Sequence, residues 1–137
     1  MAIVEDLIDK GKEGTLSFGN YLLSTKTKKA DFMFENDSYK VKTFKEITKL
    51  EKNGMFVYES VPGSAVTNFK NTGEEASFVL ESFEDVSITL ELEPDSEFEV
   101  TIAGEAAGKM KTNFAGKLNI SVELDEGEEK EVIITKC

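Results

Sequence analysis

Residues 85–102 read DVSITLELEPDSEFEVTI, and this stretch decides the fold class. On both sides of Pro94, apolar residues occupy every second position, with Ser, Thr and Glu between them. The same alternation returns at residues 118–124, which read LNISVEL. A period of two is typical of β-strands that bury one face. The chain is therefore expected to be mainly β.

Short strands separated by turn residues follow one another through residues 71–137. Their spacing predicts an immunoglobulin-like β-sandwich in this half. Residues 1–70 are expected to form a smaller β-rich segment that carries one or two short helices. With 137 residues, the two parts could also form one compact unit.

The first expected helix lies at the start of the chain. Four apolar residues have helical spacing and are soon followed by Gly11: Ile3, Val4, Leu7 and Ile8. This pattern predicts one or two helical turns.

The second expected helix follows Thr43, which has capping-box spacing to Glu46. Three apolar residues then fall on one helical stripe: Phe44, Ile47 and Leu50. Asn53 and Gly54 provide a helix stop, although Asn-Gly also suits a tight hairpin turn. The two interpretations remain open at this point.

The composition removes most catalytic chemistry. The chain contains no His, Arg, Trp or Gln, and all 16 basic residues are Lys. Without His there is no imidazole base or imidazole metal ligand, and without Arg there is no bidentate clamp for carboxylate or phosphate. The lone cysteine, Cys137, has no His to activate it. We therefore expect no enzyme activity and no catalytic residue.

Charge is distributed unevenly along the chain, whose net charge is −11. Residues 1–70 hold 11 Lys and 10 acidic residues, whereas residues 71–137 hold 5 Lys and 17 acidic residues. Such acidity argues against binding to nucleic acid or to anionic membrane surfaces.

A candidate partner-binding acidic face follows from pairing the strands around Pro94 as a hairpin. In that register Glu93 lies opposite Glu97 and Glu91 lies opposite Glu99. Like charges across a ladder are destabilising, so a basic partner surface or a cation could compensate them. A solvated face that protects a sheet edge is the alternative.

The candidate basic counter-surface comprises five lysines of the first half: Lys26, Lys28, Lys29, Lys40 and Lys42. The first three fall in residues 24–31, which we interpret as a loop. The last two share one face of a strand in a hairpin formed by residues 32–34 and 39–43.

No cofactor or metal site is predicted. The acidic stretch at residues 125–129 lacks the alternating ligand spacing of a calcium loop. Residues 104–108 contain two glycines between strands rather than before a helix, so they suit an ordinary turn better than a phosphate cradle.

The chain shows neither a basic-then-apolar leader at its start nor an apolar run of membrane-spanning length. We therefore expect cytoplasmic synthesis without a signal peptide, followed by residence in the cell or in a virion. The absence of any internal disulfide suits a reducing compartment.

Residues 40–66, KVKTFKEITKLEKNGMFVYESVPGSAV, and residues 97–124 give the chain a family resemblance. It resembles short acidic bacterial or prophage-borne β-proteins that sometimes carry the label endosialidase, over most of its length. Sialidases hold the sialic acid carboxylate with arginines, and this chain has none, so no catalytic residue carries over. The resemblance implies an association with phage head or tail proteins.

These observations favour a non-enzymatic structural or assembly protein, such as a capsid decoration or tail-associated subunit of a phage or prophage virion. Its partner would be another protein or a second copy of the chain. The alternative is a carbohydrate-binding or adhesion module that uses Tyr21, Tyr39 or Tyr58 with polar loop residues.

Overall fold

A computed structural model describes residues 4, 6–12 and 14–137. These residues form 13 β-strands and no helix. In chain order the strands are β1 (Ile8–Lys10), β2 (Leu16–Phe18), β3 (Thr27–Phe34), β4 (Asp37–Phe44), β5 (Ile47–Lys52), β6 (Met55–Val61), β7 (Ala65–Asn71), β8 (Glu75–Glu81), β9 (Val86–Glu91), β10 (Glu97–Ile102), β11 (Glu105–Lys111), β12 (Lys117–Val122) and β13 (Glu129–Lys136).

The strands form two antiparallel sheets. The seven-stranded sheet has the order β1-β2-β7-β8-β13-β10-β11, and the six-stranded sheet has the order β12-β9-β6-β5-β4-β3. Each sheet contains strands from both halves of the sequence, and the boundary expected at residue 70 lies within β7. The mainly β, two-sheet architecture predicted from the sequence is confirmed.

The alternating stretches of the second half form the strands predicted for them. In β9 the buried side chains are Val86, Ile88 and Leu90, and in β12 they alternate in the same way. These residues belong to one hydrophobic core cluster shared by the two sheets. Burial of one face per strand is thus the main determinant of the register.

The prediction of a helix after Thr43 is wrong. Residues 37–52 form a hairpin of β4 and β5, and Asn53 and Gly54 make the next tight turn with positive φ angles of 51° and 79°. Two positive φ angles suit a two-residue hairpin loop, the alternative that Asn-Gly had left open. Long-range pairing on both sides of β5 outweighs its weak local helix pattern.

The prediction of a helix at the start of the chain is also wrong where it can be compared. Ile8 begins β1 and is buried against the core, while Leu7 has a φ of 71°, which a right-handed helix does not allow. Ile3, which was part of that pattern, lies outside the described residues.

The basic loop expected at residues 24–31 is shorter than predicted. β3 begins at Thr27 and forms an edge of the six-stranded sheet, where most of its side chains are exposed. An exposed edge strand needs no apolar alternation, so its sequence lacks the usual strand signal. The hairpin expected between residues 32–34 and 39–43 is confirmed as part of β3 and β4.

Tyr58 of β6 links the two sheets through the centre of the core. Its ring makes edge-on contacts with Phe18, Phe69 and Phe78 of the seven-stranded sheet, at centroid distances of 5.1, 6.0 and 6.0 Å. Its hydroxyl lies 2.8 Å from Ser64 Oγ, with which it shares a hydrogen bond. Burial raises the pKa of Tyr58 well above its usual range, so the phenol stays neutral.

Replacing Tyr58 with Phe should lower the free energy of unfolding by about 1 kcal/mol, because the ring packing remains and one buried hydrogen bond is lost. Urea unfolding followed by circular dichroism measures this change. Tyr39→Phe is the control, since the Tyr39 side chain makes no hydrogen bond to the described residues. Equal stability of wild type and Tyr58→Phe would contradict the role given to this hydroxyl.

Candidate functional site

The acidic face predicted around Pro94 does not form. β9 lies in the six-stranded sheet and β10 in the seven-stranded sheet, so the two strands do not pair. The connecting segment crosses between sheets, and its backbone bonds to other turns instead: Leu92 N donates to Gly116 O and Glu93 N to Gly73 O. The pairs Glu93–Glu97 and Glu91–Glu99 are therefore a wrong prediction.

Each of the four glutamates instead has a lysine neighbour. Glu91 forms a salt bridge with Lys117 at 3.0 Å, and Glu93 forms one with Lys136 at 3.2 Å. Glu97 and Glu99 of β10 lie opposite Lys111 and Lys109 of β11. These pairs compensate the charges within the chain, so no partner is needed to explain them.

The basic residues are organised differently. Lys28 lies directly opposite Lys42, and Lys42 lies directly opposite Lys49 on the next strand. We call these three residues the lysine ladder; they occupy the outer face of the six-stranded sheet. Of the other predicted lysines, Lys40 faces Glu51, and Lys29 pairs with the inward-facing Val41.

Lys42 is surrounded mainly by like charges, with Glu51 also nearby, and Lys49 lies opposite Glu59 on its other side. Partial burial lowers the pKa of Lys42, and the positive charges of Lys26, Lys49 and Lys28 lower it further. Lys49 was not among the predicted residues, because β5 had been interpreted as a helix. With β5 assigned as a strand, alternation with the buried Thr48 and Leu50 would have identified it.

Acidic residues gather at one end of the sandwich, in the loops before β9 and before β13. We call seven of them the acidic end: Glu84, Asp85, Glu123, Asp125, Glu126, Glu128 and Glu129. The two loops are joined, since Gly127 N donates to Ser82 O and Leu124 N donates to Asp85 Oδ1. The described residues contain three salt bridges, and none involves the acidic end.

A buried pair lies beside the acidic end. The Tyr21 hydroxyl donates a 2.7 Å hydrogen bond to Glu81 Oε2, and the Tyr21 ring stacks on Phe83. Burial, followed by the hydrogen bond to Glu81, raises the pKa of Tyr21, and the charges of Glu126 and Glu129 add to the shift. Tyr21 is therefore part of the framework of this end.

A groove of about 920 Å³ lies at the opposite end of the sandwich. Apolar side chains from both sheets line it: Leu16, Phe34, Tyr39, Phe56, Val57, Phe69 and Leu92. At its rim, Asp37 forms a salt bridge with Lys52 at 3.4 Å and accepts a hydrogen bond from Asn53 Nδ2 at 2.8 Å. All three salt bridges of the described residues involve a residue that lines this groove.

The three tyrosines proposed for carbohydrate contact differ in their positions. Tyr58 is fully buried in the core, and Tyr21 is 3% exposed. Neither ring is available as a platform for a sugar. Tyr39 is mostly buried but contributes to the lining of the groove.

Within the described residues, no group of three or more His, Cys, Asp or Glu side chains is placed to hold a metal ion. Cys137 is an exposed free thiol. None of the described residues forms a helix of the length and hydropathy needed to cross a membrane.

No protein-family model matches the chain, and neither curated proteins nor solved structures give a significant match.

The hydrogen bond from Asn53, more than the charge of Lys52, holds the pKa of Asp37 below its usual range. Asn53→Gly removes this donor while tolerating the positive φ at position 53, so the pKa of Asp37 should rise toward 3.8. Carbon-13 NMR titration of the Asp37 carboxyl measures the change.

The lowered pKa of Asp37 stabilises the fold above the unfolded-state pKa, and this contribution is lost as pH falls through the folded-state pKa. That part of the destabilisation by Asn53→Gly should therefore be present at neutral pH and absent in strong acid. Lys52→Gln is the comparison variant and should raise the pKa less. A larger rise in Lys52→Gln than in Asn53→Gly would contradict this order of causes.

Proposed function

We propose that this protein is a non-enzymatic assembly subunit that acts through its charged surfaces. The carrying observation is the lysine ladder, in which Lys28, Lys42 and Lys49 face one another in register. Like charges directly across a sheet are destabilising, by some tenths of a kcal/mol per pair. An acidic partner would turn this cost into binding energy.

A second copy of the chain supplies an acidic partner. The acidic end carries carboxylates without salt bridges among the described residues, and it lies in loops around β9 and β13 rather than on the outer face of β3–β5. The lysine ladder and the acidic end of one copy therefore lie in different places. A contact between the lysine ladder of one copy and the acidic end of the next is head-to-tail. Repetition of such a contact gives rings or rows.

A virion component is the setting that we propose for this assembly. The resemblance to prophage-borne β-proteins supports it, as does a two-sheet β-architecture, which would suit a capsid decoration or tail-associated subunit. The finer assignment of residues 71–137 as immunoglobulin-like is part of the same proposal. In this half β9 and β12 lie in one sheet and β8, β10, β11 and β13 in the other, so it supplies strands to both layers of the sandwich.

The alternative of a carbohydrate-binding or adhesion module rests on Tyr39, which lines the groove. Binding to a glycan panel that is lost in a Tyr39→Ala variant would favour it. The carboxylates of Asp37 and Glu93 at the groove rim already form salt bridges with lysines, so they are less available to bind a sugar.

Assembly through the lysine ladder is tested by light scattering after size-exclusion chromatography, with reductant to keep Cys137 from forming a disulfide between copies. In dilute salt the wild type should exceed the mass of a dimer, and its mass should fall at about 1 M salt, where charges are screened within about 3 Å. The triple variant Lys28→Gln, Lys42→Gln, Lys49→Gln should lose the large species.

The matched control has the same change in net charge at distant lysines: Lys12→Gln, Lys109→Gln and Lys111→Gln. It should keep the large species. A mass that does not depend on salt, or equal losses in the two triple variants, would count against the proposed contact.

Like-charge repulsion at Lys42 also predicts that Lys42→Gln raises the free energy of unfolding, by about 0.5 kcal/mol at pH 7 in dilute salt. Because its folded-state pKa is lowered, charged Lys42 destabilises the fold at pH values below that pKa. This cost falls away as pH rises from the folded-state pKa through the higher unfolded-state pKa. The gain should thus shrink in strong alkali.

Lys40→Gln is the control on the same strand face, where the opposite residue is Glu51. It should leave stability unchanged or slightly lower. Urea unfolding of monomers at matched salt compares the two variants, and a loss of stability in Lys42→Gln would show that the ladder is not repulsive.

A further inference from the structure

The turn between β5 and β6 contains the one Asn-Gly pair of the sequence, Asn53 and Gly54. An asparagine before glycine is the most prone to lose its side-chain amide, because glycine has no Cβ to keep its backbone nitrogen away from the preceding side chain. The other six asparagines precede residues that carry a Cβ. Both turn residues are exposed, and apart from its chain neighbours no described atom lies within 4 Å of where a Cβ of Gly54 would be. The turn thus combines the reactive pair with free access of water.

The reaction open to this pair is an intramolecular deamidation. Gly54 N attacks Asn53 Cγ and forms a new C–N bond, while the Cγ–Nδ2 bond breaks and Nδ2 leaves as ammonia with the proton that Gly54 N gives up. The product is a cyclic imide, which water opens at either carbonyl to leave aspartate or isoaspartate at position 53. Water is the only other reactant, so the change needs no catalytic residue, oxidant or cofactor.

In the folded protein the Asn53 amide is bound to β4. Its Nδ2 donates a 2.8 Å hydrogen bond to Asp37 Oδ1, and its Oδ1 accepts a 2.9 Å hydrogen bond from Ser38 N. β4 and β6 lie on opposite sides of β5, and Gly54 leads into β6. The amide therefore has to leave Asp37 and Ser38 before Gly54 N can reach Cγ. Local opening of this kind has its own free-energy cost, which slows any reaction that depends on it.

The product cannot restore these contacts. An ionised aspartate side chain only accepts hydrogen bonds, so the donor to Asp37 is lost and two carboxylates lie side by side. Isoaspartate also lengthens the backbone of a two-residue turn whose φ angles are 51° and 79°. Asp37 and Lys52 line the groove, so the reaction adds negative charge at the groove rim.

We propose that Asn53 is a site of spontaneous deamidation and that its hydrogen bonds to Asp37 and Ser38 set the rate at which the folded protein is modified. The fold delays the reaction, and the departure of ammonia makes the change permanent. The reaction involves no residue of the lysine ladder or of the acidic end and is independent of the proposed assembly.

Peptide mass spectrometry after incubation in heavy-oxygen water tests the site. The isotope enters position 53 only when water opens the imide, so changes made during later digestion in ordinary water carry no label. Purified protein is kept at mildly alkaline pH, either folded in buffer or unfolded in urea. Asn53 should be the first asparagine labelled under both conditions. Its labelling should be about tenfold slower in the folded protein, the factor that one charge-assisted hydrogen bond gives.

Two substitutions of Asp37 separate the hydrogen bond from the local charge. Asp37→Ala removes the acceptor of Asn53 Nδ2 and should bring the folded rate close to the rate in urea. Asp37→Asn keeps an acceptor oxygen without the charge, so its rate should lie between those of the wild type and Asp37→Ala. It shows the same direction of change if Asp37→Ala does not fold.

The matched control is Glu46→Ala, which removes an exposed carboxylate from the turn at the other end of β4 and should match the wild type. The rate of each variant in urea corrects for differences in intrinsic reactivity. Circular dichroism shows whether each variant is folded in buffer.

Three results would overturn the inference. Label that appears at another asparagine before Asn53 would exclude this turn as the reactive site. A folded rate equal to or above the rate in urea would show that the hydrogen bonds do not slow the reaction. Equal folded rates in Asp37→Ala and Glu46→Ala would remove Asp37 from control of the rate. None of these outcomes bears on the light-scattering test of the proposed function, so the two can fail separately.

Discussion

The contact between Tyr58 and the aromatic residues of the opposite sheet is the interaction on which the rest of the structure depends. Tyr58 belongs to the six-stranded sheet, yet its ring packs edge-on against Phe18, Phe69 and Phe78 of the seven-stranded sheet. Such aromatic pairs contribute about 0.5–1.5 kcal/mol each beyond the burial of their area. They fix which faces of the two sheets are inside, and therefore which residues are left outside for function.

The hydroxyl of Tyr58 extends this constraint to one end of the sandwich. Ser64 Oγ lies 2.8 Å from it and 2.7 Å from Ser60 Oγ, while Ser64 N donates to Thr48 Oγ1. Among the described residues, no buried side-chain nitrogen or oxygen lacks a hydrogen-bond partner. The interior is therefore satisfied, and the lysine ladder is a place on the surface where like charges meet in register.

The sequence predicts strands well where burial is one-sided and poorly where it is not. β9, β10 and β12 alternate so regularly that their buried residues could be named in advance. β3 is exposed on most positions, and β5 carries a helix-like stripe, so neither reveals its partner strands. Which surface residues lie side by side depends on which strands pair. Glu93 and Glu97 are four residues apart in sequence, but they lie in the segment that crosses between the sheets and in β10, and do not face each other. Lys28 and Lys49 are far apart in sequence, yet both lie beside Lys42.

The separation of charge in space follows from this topology and differs from the separation along the chain. Lysines of the second half lie next to Glu91, Glu93, Glu97 and Glu99, which neutralises the strands of that half, while the carboxylates left over are those of the loops. The first half has almost no net charge, yet its strand order puts three lysines in one row, which continues to Glu59 opposite Lys49. Strand pairing thus brings three lysines together on one face of the six-stranded sheet, whereas the acidic end lies in loops around β9 and β13. Like charges across a sheet cost only some tenths of a kcal/mol per pair, so the packing of the two sheets can hold the lysine ladder in place despite its repulsion.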